Sequence, residues 1–136
     1  MAQRIARQKP NDFASSNVST LCEGSIEKLN NTMLVKAFHE QDSWVQGVIE
    51  IGAGYLGQTL ASVHLSLGIE RFVIFGGFAL ALGEPYRKQV VKAASLHSWN
   101  IGQQWNQMIE LGEDDDYSGM IGAGRFATGF LTRNMS

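Results

Sequence analysis

The chain predicts an α/β, helix-rich domain with a short sheet, on three observations. Residues 42–67 carry apolar side chains at steps of three and four, the signature of one long helix. Residues 72–75, FVIF, are apolar without alternation, as in a strand covered on both faces. A helical segment separates this run from a second apolar run at 108–111, a connection long enough for parallel pairing.

Taken in order, residues 1–16 read as a polar, loosely ordered leading segment containing Pro10, Asn11 and Asp12, with a domain over 17–136. Val18, Leu21, Cys22, Ile26 and Leu29 then have helical spacing, which Gly24 and Ser25 bend or divide into two turns. Thr32 reads as the N-cap of a short helix with Met33, Leu34, Ala37 and Phe38 facing inward.

Asp42 is a good N-cap for the long helix. One stripe runs through Val45, Ile49, Gly52, Leu56, Leu60, Val63 and Leu67, and a second through Trp44, Val48, Ile51 and Tyr55. Two stripes predict burial over much of the circumference. Gly47, Gly52, Gly54 and Gly57 each cost about 1 kcal/mol relative to Ala, so another helix or a ligand is expected very close. Gly68 reads as the C′ residue.

The strand ends at Gly76 and Gly77, and a helical-looking run follows. A helix over 84–96 tolerates Pro85 in its first turn. After the second strand, DDDYSGMIGAGRFATGFL reads as a closing helix with acids and Ser118 at its start. Two strands make a small sheet. The chain therefore reads as a piece of a larger sheet, or as a protomer of a homo-oligomer that completes its sheet elsewhere.

A net charge of −2 argues against electrostatic binding to nucleic acid or an anionic membrane. The basic opening MAQRIARQKP lacks the apolar run of a signal peptide, and no apolar run is long enough to span a bilayer. The single cysteine, Cys22, excludes an internal disulfide and a multi-cysteine zinc site, fits a cytoplasmic location, and reads as a small buried filler.

Gly76 and Gly77 sit at the carboxyl end of a strand, where open α/β sheets place their ligand crevice. Glycine lets a base or phosphate approach the backbone, but a plain turn has the same requirement. IGAGYLG and IGAGRFATG lack the strand-then-turn context of a dinucleotide fingerprint. Glu113, Asp114, Asp115 and Asp116 lack the alternating spacing of a calcium loop and read as helix-start acids, so no metal site is assigned. His39, His64 and His97 are far apart and form no ligand pair. Trp99 and Trp105 flank NIGQQ, where they would either stack on a sugar or base or pack the edge of a core.

The order CEGSIEKL, AFHEQDS, VIEIGAGYLGQTLASVHLSLGIE, VIFGG and DDDYSGMIGAGRFA resembles the C-terminal part of the ROK (repressor, open reading frame, kinase) family of sugar kinases. The likeness runs from about Asn17 to Phe130 and lies in order and spacing rather than in one motif. It implies part of an actin-like ATPase fold of the ribonuclease H type. It also implies a cofactor, ATP with Mg, contacted by Gly76, Gly77 and Phe78, and a sugar as possible substrate.

The departures are equally specific. Within the matched stretch, residues 17–130, there is no Asp-x-Gly-Gly-Thr phosphate loop, no Asn-Asp pair with its catalytic base and no cysteine-rich zinc segment, and Ser19 stands where a sugar-binding glutamate often does. No catalytic residue is assigned. The resemblance implies the nucleotide-side part of a sugar or cyclitol kinase, inactive without an N-terminal half, because phosphoryl transfer needs phosphates, metal and base together. The alternative is a non-catalytic binding or oligomerising module. A repressor fragment is disfavoured by the lack of a helix-turn-helix and of a basic face.

Overall fold

The computed structural model describes residues 1–99 and 102–113. The expected closing helix, the acids from Asp114 onward and the last segment of the family resemblance lie outside the described residues.

The leading residues depart from the expectation. They form two short helices, α1 (Ala2–Gln8) and α2 (Pro10–Ala14). Pro10 fits the first helical position, where its missing N–H costs nothing. Two apolar side chains suffice to anchor the pair: Ala6 and Phe13 are buried, and the Phe13 ring meets Trp44 edge-on at 5.2 Å. Residues 17–29 divide as the glycine allowed, into α3 (Asn17–Leu21) and a 3-10 turn at Ile26–Lys28. Glu23 and Gly24 both take positive φ between them.

Helix α4 (Asn31–His39) is capped by Asn30 rather than Thr32. The Asn30 carboxamide oxygen accepts from Met33 N at 3.0 Å, and Asn is at least as good a cap as Thr. Leu34, Ala37 and Phe38 are buried as expected.

Helix α5 (Ser43–Leu67) has the predicted bounds, with Asp42 accepting from Val45 N at 2.8 Å and Gly68 closing it at φ 68°. Its second apolar stripe is only partly buried. Val48 is inside, whereas Ile51 and Tyr55 are 46% and 65% exposed. The buried line runs instead through Val45, Ile49, Ala53, Gly57 and Ala61. Small residues there admit a close neighbour: a Cβ on Gly57 would stand 2.5 Å from Ala93 Cβ and 2.6 Å from Val90 O.

That neighbour is α6 (Gly77–Leu96), which follows strand β1 (Phe72–Ile74). Helix α6 is broken at Gly83 (φ 67°, ψ −153°) into residues 77–82 and 84–96, which places Pro85 in the first turn of the second part. A short helix α7 (Trp105–Met108) leads into β2 (Ile109–Leu111). The strands pair in parallel, with Phe72 opposite Ile109 and Ile74 opposite Leu111.

Two core clusters result. One joins α1 to α4 with the start of α5 and Leu82. The other packs Ala53, Ala61, Val90 and Ala94 of α5 and α6 against Ile74, Trp105, Met108 and Ile109. Cys22 is fully buried in the first, as a filler should be. Among the described residues, no helix is long and apolar enough to cross a membrane.

Candidate functional site

Strand β1 delivers the chain to Gly76, which takes φ 110° and ψ 133°. Side chains rarely adopt that φ, so this turn favours glycine. Gly77 is different: it begins α6 without positive φ, and a Cβ there would meet nothing within 4 Å. Both glycines are exposed. The positive-φ role therefore belongs to Gly76 alone, and Gly77 leaves open space beside the first turn of α6.

That space is one end of a groove of about 280 Å³ lined by Asn31, Thr32, Val35, Gly77, Phe78 and Ala81. The predicted residues Gly77 and Phe78 are brought together in it. Gly76 stands at its rim as the N-cap of α6, and its carbonyl accepts from Leu80 N at 3.1 Å. No side chain caps this helix start, so amide N–H groups of the first turn are open to an acceptor. Phe78 and Ala81 supply an apolar wall, and Val35 faces them from α4. The opposite wall is the first turn of α4, which the sequence reading did not assign to the site. Its only signal there was the cap residue.

One contact joins the two walls, and a second fixes the rest of α6. His39, near the end of α4, donates from Nε2 to Ala81 O at 2.8 Å. Arg87 of α6 donates to Ile109 O at 2.7 Å and to Asn106 O at 2.9 Å, tying α6 to the turn before β2. Glu84 completes the Arg87 network through paired hydrogen bonds at 2.7 Å. Those bonds hold the Glu84 carboxyl below the usual glutamate range.

The other candidates take structural roles. Trp105 is buried, edge-on to His64 at 5.3 Å, and donates from Nε1 to Ser98 Oγ at 2.9 Å, so it packs the core; Trp99 is exposed. His64 and His97 each bond a nearby backbone carbonyl, of Ile69 and Ala93 respectively. Ser19 is buried in α3, its N–H bonded to Ser16 Oγ. Among the described residues, no three His, Cys, Asp or Glu side chains gather where they would hold a metal ion.

The groove thus has an apolar lining and, beside it, bare backbone with open N–H groups. None of its lining residues is a carboxylate that would hold Mg.

No protein-family model matches the chain. It is similar to the C(7)-cyclitol 7-kinase of Streptomyces hygroscopicus subsp. limoneus, at 26% identity over 121 residues. Those residues are 88% of this chain and 34% of the relative. The C(7)-cyclitol 7-kinase of S. hygroscopicus subsp. jinggangensis (strain 5008) matches with the same identity and coverage. The chain thus spans about a third of the length of the curated relatives it matches. It is a distant relative of part of a cyclitol kinase.

Proposed function

We propose that this chain is the C-terminal, nucleotide-side part of a ROK-type, ATP-dependent sugar or cyclitol kinase with an actin-like fold. The observation that carries the reading is the strand-to-helix turn at Gly76 and Gly77 opening onto the groove with Phe78. Similarity to a third of a cyclitol kinase supports the substrate class.

In this reading the amide groups at the start of α6 and the apolar side chains of Val35, Phe78 and Ala81 hold and orient the adenosine side of ATP. ATP supplies the phosphoryl group and its Mg the charge neutralisation. This chain's own residues position the nucleotide and provide no base. The phosphate loop and the base for the accepting hydroxyl belong to an N-terminal half. The isolated chain is therefore expected to form no sugar phosphate from ATP.

The test is an amide-resolved NMR titration of the chain with ADP. Saturable shifts at Thr32, Gly77, Phe78 and Ala81 support the reading. Saturable shifts elsewhere, or none at any concentration, overturn it.

A second reading, a self-associating module without catalysis, is favoured by one observation. Ile51 and Tyr55 are exposed on the same side of α5 as Gly47 and Gly54, whose Cβ positions meet nothing within 4 Å. Sedimentation of a compact monomer at micromolar concentration would rule it out.

A further inference from the structure

Two positive-φ glycines flank one wall of the glycine groove. Gly76 precedes residue 77 with φ 110° and ψ 133°, and Gly83 follows residue 82 with φ 67° and ψ −153°. Between them, residues 77–82 form a short helical segment that contributes Gly77, Phe78 and Ala81 to the groove. Neither flanking glycine is crowded. A Cβ on Gly76 would meet nothing within 4 Å, and one on Gly83 would meet only Pro85 Cδ, at 3.9 Å. Glycine changes φ and ψ at little steric cost, and hinges are a few residues of this kind at element ends.

The two parts of α6 are held very differently. Residues 84–96 are fixed by the Arg87 hydrogen bonds and by buried Val90, Ala93 and Ala94, with Ala93 and the Val90 carbonyl close against Gly57 of α5. Of residues 77–82, only Leu82 is buried. Among the described residues, one side-chain hydrogen bond reaches this segment, from His39 Nε2 to Ala81 O at 2.8 Å. Pro85 has no N–H to bond that carbonyl across the break. Segments with few buried apolar contacts open at lower cost than the core they adjoin.

Phe78 also has room to move. It lines the glycine groove on one side and, with Asn31, a second cavity of about 300 Å³ on the other, among Leu29, Leu34, Val48 and Ile49. The ring thus stands as a partition between two spaces. A swing of the segment enlarges one space at the expense of the other.

We infer that residues 77–82 are a hinged flap. It pivots at Gly76 and Gly83, Leu82 anchors its end, and the His39 bond to Ala81 latches it against α4. Release of the latch moves Phe78 between the two cavities and sets whether the groove admits a ligand. The inference does not rest on the kinase reading, since the pivots, the latch and the partition are present whatever the groove binds.

The test is backbone nitrogen-15 relaxation dispersion on the whole chain, which detects minor states exchanging in microseconds to milliseconds. Amides of residues 78–82 are expected to share one exchange process that the amides of Val90, Ala93 and Ala94 do not show. His39→Phe removes the latch and should raise the population of the minor state by roughly fivefold, the equivalent of one hydrogen bond. Asp42→Asn weakens the fold away from the flap and should leave that population unchanged. Three results overturn the inference: no dispersion at residues 78–82 in the parent or in His39→Phe, the same process extending through residues 90–94, or a minor state that His39→Phe leaves unchanged or that Asp42→Asn raises equally. Titration with ADP separates this inference from the nucleotide reading. Saturable ADP shifts without dispersion sink the flap alone, and dispersion without ADP shifts sinks the nucleotide site alone.

Discussion

His39 donates from Nε2 to the Ala81 carbonyl at 2.8 Å, and Ala81 is the residue four positions before Pro85. In an unbroken helix the N–H of residue 85 would serve that carbonyl, and proline has none. A side chain from α4 thus satisfies an acceptor that the sequence of α6 leaves open. The same bond sets the width of the glycine groove, since Ala81 lines one wall and α4 forms the other.

Replacing His39 should therefore act on both stability and the groove. His39→Phe keeps the ring but removes the donor, and is expected to cost about 1 kcal/mol by urea unfolding, the usual worth of one hydrogen bond. ADP-induced shifts at Ala81 should weaken with it. A variant as stable as the parent, with unchanged shifts, would show that the bond holds nothing in place.

One buried carboxylate caps two helices. Asp42 accepts from Val45 N through Oδ1 at 2.8 Å and from Asn17 N through Oδ2 at 2.6 Å, so it starts α5 and also holds the start of α3. Loss of a single cap costs about 0.5–2 kcal/mol, and Asp42→Ala removes two, for an expected loss of roughly 1–4 kcal/mol in chemical denaturation. Asp42→Asn retains one carbonyl acceptor and should lose distinctly less. Equal losses for the two variants would mean that the second cap contributes nothing.

The glycines of α5 separate into two kinds, and substitution should separate them by sign. Gly57→Ala forces a Cβ against Ala93 and the backbone at Val90, and overpacking of this kind costs about 1–3 kcal/mol. Gly54→Ala meets open space and should stabilise the chain by up to about 1 kcal/mol through helix propensity. If the Ile51 and Tyr55 face joins a second copy, Gly54→Ala should also raise the dissociation constant in sedimentation. A stabilised variant with unchanged association places the contact elsewhere.

Much of this fold was legible because its signals are local. Asp42 and Gly68 marked both ends of α5 through capping chemistry that needs no tertiary partner. Pro85, tolerated in a first helical turn, marked the second part of α6 in the same way. What was not legible depended on partners distant in sequence. Residues 1–16 looked loosely ordered because Phe13 gains its burial from Trp44, in another helix. Ile51 and Tyr55 looked buried because periodicity reports a repeating face, not what covers it. Gly76 and Gly77 were marked by the strand-to-helix turn and Phe78 only by the family resemblance, while the facing wall of Asn31, Thr32 and Val35 carries no local signal of its role.

The two adjacent glycines offer the sharpest separation of backbone need from ligand need. Gly76 holds φ 110°, and forcing a side chain into such a region costs about 1–3 kcal/mol, so Gly76→Val should lower stability whatever the groove binds. Gly77 has no such constraint, and a side chain there projects into open space. Gly77→Val should therefore unfold within about 0.5 kcal/mol of the parent, like an ordinary surface change. In this chain completed by the N-terminal half that the kinase reading requires, the same isopropyl group would stand where the nucleotide approaches the backbone. Affinity for an ATP analogue should then fall by at least about tenfold, equivalent to 1.4 kcal/mol, in calorimetric titration. Thermal unfolding of the same samples keeps the two effects apart. Unchanged affinity in Gly77→Val, with stability also unchanged, would leave the groove without a nucleotide. The kinase reading would then rest on distant similarity alone, and likeness of fold does not establish function.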